Sequence, residues 1–119
     1  MPNFLNQGQV FPTLKIFRTL PNSKEDGDVI AESCLIVLDK FNVLSVHDPE
    51  VAKRDIWNPL HHFCLHDANS IVFKKIRSAS GKLAMGRVVI KGLFRLEEEK
   101  VTFKMNRQHY KEFQEAMTK

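Results

Sequence analysis

Along much of this chain, polar and apolar residues alternate with the period of two that marks a strand lying half against a core. In "VFPTLKIFRTL" (10–20), Leu14 and Ile16 face one way and Lys15 and Phe17 the other. "PNSKEDGD" (21–28) then offers turn-forming residues and almost nothing to bury. "VIAESCLIVL" (29–38) is apolar and β-branched enough for a strand buried on much of both faces. After a break at Asp39-Lys40, "FNVLSVHD" (41–48) alternates again, which predicts a hairpin. "DPEVAKRD" (48–55) puts Asp48 at an N-cap, Pro49 at the first helical position and Glu50 in the first turn of a short helix.

Pro59 excludes a central-strand position at the Asn58-Pro59 break. "SIVFKKIR" (70–77) and "RVVIKGLFRL" (87–96) read as strands flanking the loop "SASGK" (78–82), with a bulge or bend at Gly92. "RLEEEK" (95–100) reads as a turn with its charges in water. In "VTFKM" (101–105), Val101, Phe103 and Met105 should be buried and Thr102 and Lys104 exposed. Asn106 then caps "NRQHYKEFQEAMTK" (106–119), where Tyr110, Phe113 and Met117 fall at i, i+3 and i+7 on one stripe. The expected fold is mainly β: a seven-stranded, strongly bent antiparallel sheet or barrel capped by a C-terminal amphipathic α-helix. Residues 1–119 form one domain in this reading, with 1–9 as a flexible extension.

That element order, ending in "VTFKMNRQHYKEFQEAMTK" (101–119), resembles the pleckstrin-homology-like superfold, the group of PH, phosphotyrosine-binding and EVH1 modules. Phe113 sits where such capping helices carry a large aromatic. The resemblance implies a non-catalytic binding module, an adaptor in signalling, that docks its parent protein to a protein partner. It also implies a phosphoinositide site built from cations in the first two strands and the loop between them. Lys15 and Arg18 fit the first strand. The loop, however, holds Glu25, Asp26 and Asp28, and "VIAESCLIVL" contains no basic residue. Convergent carboxylates repel a phosphorylated headgroup, so weak attraction to anionic phospholipid is the most to expect.

Charge sharpens this picture. Residues 1–73 carry six Lys/Arg against nine Asp/Glu, whereas residues 74–119 carry twelve against five. On a hairpin, Lys74, Lys75, Arg77, Lys82, Arg87, Lys91 and Arg95 can share a surface near "SASGK". An acidic protein partner or an anionic membrane fits that surface first. With Phe73 and Phe94 as stacking platforms, the alternative is a small basic β-barrel that binds RNA or single-stranded DNA. Trp57, beside a proline in a loop, is either a contact anchor or a lid.

"HHFCLHD" (61–67) is the densest chemistry. If it is extended, His62, Cys64 and His66 share a face and suit zinc or copper. Alternate strand residues stand roughly 6.5–7 Å apart, too far to converge on one ion without a bend. A strand carrying Phe63 and Leu65 to the core, with histidines at its rim, is the simpler reading. Cys34 lies in the most apolar run and reads as core. "SASGK" is not a phosphate loop, because Ile76 replaces the first glycine and Leu83 the metal-binding hydroxyl. No cofactor and no enzymatic activity are expected. Two cysteines, no secretory pattern in "MPNFLNQGQV" and no run near the roughly 20 apolar residues that cross a bilayer point to the cytoplasm or nucleus, at most peripheral at membranes.

Overall fold

The computed structural model describes residues 8–54 and 57–118. Its strands are β1 (Gly8–Thr19), β2 (Asp28–Asp39), β3 (Val43–His47), β4 (His61–Cys64), β5 (Ala68–Arg77), β6 (Leu83–Phe94) and β7 (Glu97–Asn106). Helix α1 (Pro49–Lys53) follows β3, and α2 (Arg107–Met117) follows β7. The strands form an antiparallel sheet in the order β4-β3-β2-β1-β7-β6-β5. The mainly-β expectation, with a helix at the end, therefore holds. Gly8 and Gln9, expected in an extension, belong to β1; residues 1–7 lie outside the described residues.

The sheet curls back on itself. Phe63 of β4 reaches across the interior to Phe94 of β6, with ring centroids 5.4 Å apart, and to Phe103 of β7 at 6.0 Å. Among the described residues β4 pairs only with β3 and β5 only with β6, so no hydrogen-bonded ladder closes the curl into a barrel. Pro12 is tolerated inside β1 because β7 joins this strand only from Lys15 onward. Ahead of that point one edge of β1 needs no donor.

Helix α2 seals the curl. Asn106 Oδ1 accepts from His109 N at 2.9 Å, as the sequence predicts. Tyr110 and Phe113 are fully buried and Met117 half-buried. Phe113 meets Phe11 edge-on at 5.1 Å, and Phe73 flanks Tyr110 at 6.2 Å. Each buried ring contributes roughly 2–3 kcal/mol. Gly86 of β6 makes this seat possible: a Cβ there would overlap the Tyr110 ring, with even Cε2 only 2.5 Å away.

Three local expectations fail around β7. The turn after β6 is only Arg95 and Leu96, both at positive φ (52° and 68°), and Glu97–Lys100 already pair with β6. Glu99 and Lys100 are buried, not in water. Thr102 is buried too, although it lies on the face of β7 opposite Val101 and Phe103. Something covers that face, and it proves to be the β1–β2 loop.

Candidate functional site

The loop of residues 20–27 folds over the outward face of β7 and β6. Lys100 Nζ donates to the carbonyls of Ser23 (2.7 Å) and Glu25 (2.9 Å), and Asp26 pairs with Arg87. Gly27, at φ +93°, turns the loop back into β2 so closely that a Cβ would strike the Arg18 carbonyl and the Thr19 side chain. Val89 and Thr102 are buried on this same face.

Strand register assembles cations here. Lys74 pairs with Arg87, Arg87 with Lys104, and Lys104 with Lys15, forming one row across β5, β6, β7 and β1. Lys91 and Lys100 pair directly in a second row. Lys15 is matched by Glu32 at 3.5 Å, and Lys104 Nζ lies 5.8 Å from the centre of the Phe17 ring. Lys100 is held below its usual pKa, first by burial and then by Lys91, Lys74 and Arg87.

The predicted basic cluster is thus partly realised and partly dispersed. Lys74, Arg87 and Lys91 share the row face; Arg77 instead ties down the 78–82 loop by donating to the Gly81 carbonyl at 3.1 Å. Lys82 sits exposed in that loop, and Lys75 is exposed on the edge strand β5. The shared surface therefore lies in mid-sheet, away from "SASGK". Lys15 and Arg18 do not converge: they pair with Lys104 and Val101, on opposite faces of the sheet. Arg18 turns to Glu99 (4.0 Å), which also meets Arg95 at 3.7 Å. Burial raises the Glu99 pKa, against the lowering pull of Arg18. Sequence reasoning missed Lys100 and Lys104, whose same-face spacing in "KVTFK" was a signal hidden by placing Lys100 in a turn.

The proposed stacking rings are not on the surface. Phe94 is core, and Phe73 packs between Tyr110 and Phe113. Trp57 is 56% exposed beside the His47 ring at 4.8 Å. His47 itself is buried, its Nε2 3.0 Å from Ser45 Oγ, and burial lowers its pKa. The extended reading of "HHFCLHD" ends at Cys64; Leu65–Asp67 form a 3-10 turn that carries His66 off the strand. Phe63 enters the core and Leu65 packs against it. Among the described residues no three His, Cys, Asp or Glu side chains are grouped to hold a metal. Cys34 is core, its thiol pushed up to about 11 mainly by burial.

Ile71 of β5 lies near Ala116 and Met117 at the end of α2. A cleft of about 230 Å³ opens there, lined by Leu38, Asn42, Leu65, Ile71, Ala116 and Met117. Among the described residues no helix is long and apolar enough to cross a membrane. The chain matches no protein-family model, and no curated protein matches it either.

Proposed function

We propose that this chain is a non-catalytic interaction module of the PH-like kind, which docks its parent protein to a partner by taking an extended peptide onto the edge of β5. The observation that carries this reading is the cleft between Ile71 of β5 and Met117 of α2, on a strand that pairs with β6 alone among the described residues. An added strand satisfies main-chain donors and acceptors along that edge, and its alternate side chains enter the cleft. The strand order, two meanders joined through β1 and β7 and sealed by a terminal helix, supports the same reading. Lys74 and Lys75 on β5 discourage the edge from pairing with a second copy of itself.

Peptides selected from a random library test this. They should slow amide exchange along residues 70–75 on binding, and Met117→Glu should weaken them at least about tenfold at a temperature where its melt shows the variant still folded. Peptides that bind Met117→Glu equally well, or that protect a different strand, would overturn the proposal.

A further inference from the structure

We infer that the outward face of β5, β6, β7 and β1 is a second docking site, for an acidic peptide segment of a partner, and that the chain's own β1–β2 loop occupies it as a tethered substitute. Like charges directly opposite one another across strands destabilise a sheet, yet Lys74, Arg87, Lys104 and Lys15 stand in an unbroken cross-strand row, with Lys91 and Lys100 paired beside it. Such an array calls for a counter-charge. The loop supplies little: one carboxylate, Asp26, to Arg87, and two carbonyls to Lys100. Glu32 answers Lys15 from β2, and Glu98 stands near the far end of the same face of β7, opposite Leu93. Lys74, Lys91 and Lys104 have no carboxylate within ion-pair distance among the described residues.

The way the loop is held identifies the ligand chemistry. Carbonyls on an ammonium and a carboxylate on a guanidinium are the contacts of an acidic peptide laid across strands. Four strands at about 4.8 Å spacing give a row roughly 14 Å long, the span of four or five extended residues. A bilayer meets only what protrudes, whereas Lys100 and Arg87 lie beneath the loop. For nucleic acid the face has no open stacking ring, since its aromatic, Phe17, is half-buried beside Lys104. The loop itself is easy to displace: Leu20 is 72% exposed, and its other internal ties are surface hydrogen bonds such as Glu25 N to Ser23 Oγ at 3.2 Å.

Fluorescence anisotropy with a labelled octaglutamate peptide at low salt tests the site. Asp26→Asn removes the loop's one ion pair to this face and should tighten binding about fivefold, the factor expected for a partly exposed ion pair. Arg87→Glu, and independently the exposed Lys74→Glu, should weaken it at least about tenfold. Lys111→Glu on α2 and Met117→Glu at the edge cleft should leave it unchanged, which separates this site from the one proposed above. The inference falls if Asp26→Asn has no effect, if Met117→Glu abolishes octaglutamate binding, or if phosphatidylserine vesicles or oligothymidylate respond to these substitutions while octaglutamate does not.

Discussion

Replacing Gly86 by alanine adds one methyl group where the ring of Tyr110 now lies on β6. The new Cβ would overlap Cγ and Cδ2 of the ring and sit 2.5 Å from Cε2, where ordinary contacts begin at about 3.4 Å. The ring must move by roughly 1 Å or more, and Tyr110 and Phe113 are both fully buried, so the neighbouring core has no slack to absorb the shift. Overpacking of this kind costs about 1–3 kcal/mol, and partial loss of the roughly 2–3 kcal/mol from burying each ring moves the expectation to about 3 kcal/mol. Tyr110→Ala alone should cost about 3–4 kcal/mol by opening a cavity. In that background the alanine at position 86 meets empty space, so the double variant should be scarcely worse than Tyr110→Ala. Urea titrations followed by far-UV circular dichroism give the four free energies of the cycle. A Gly86→Ala cost below about 0.5 kcal/mol, or costs that simply add, would refute the account of how α2 is seated.

Two further outcomes follow from local geometry. Leu96→Gly relieves a left-handed residue (φ 68°) whose side chain is 92% exposed, so it should raise stability by about 1 kcal/mol and the melting temperature by roughly 4 °C; a lower melting temperature would contradict the turn assignment. The buried His47 has a folded pKa below its unfolded value near 6.5, so between those two values the unfolded chain binds more protons. Stability should be full above about pH 6.5 and decline as pH falls toward the folded pKa, by at most about 1.4 kcal/mol per unit, and His47→Gln should flatten that slope in urea titrations at successive pH values.

Much of the architecture was legible because it is local. Alternation located the strands, Asp48 and Asn106 marked the helix starts they cap, and the Tyr110–Phe113–Met117 stripe marked the face that docks. What was hidden depends on partners distant in sequence. Nothing local says that Lys104 lies between Lys15 and Arg87, since that follows from two ladders that meet on β7. Thr102 looked exposed because its own strand places it outside; only the loop resting on Lys100 buries it. The turn at Arg95-Leu96 carries neither glycine nor asparagine, so its tightness left no mark, and the acidic run after it was misread as solvated. His66 departs from its strand through a 3-10 turn whose residues, Leu65–Asp67, include no helix breaker.

The five-residue ladder between β1 and β7 has a consequence for how the protein is made. It joins residues 15–19 to residues 100–104, and it is the sole ladder linking β1–β4 to β5–β7 among the described residues. A nascent chain can therefore form the β1–β4 meander early, but that meander cannot be joined to β5–β7 until β7 has left the ribosome. Until then the unpaired edge of β1 at Lys15–Thr19 stays open, and the emerging polypeptide is most vulnerable to wrong strand partners there.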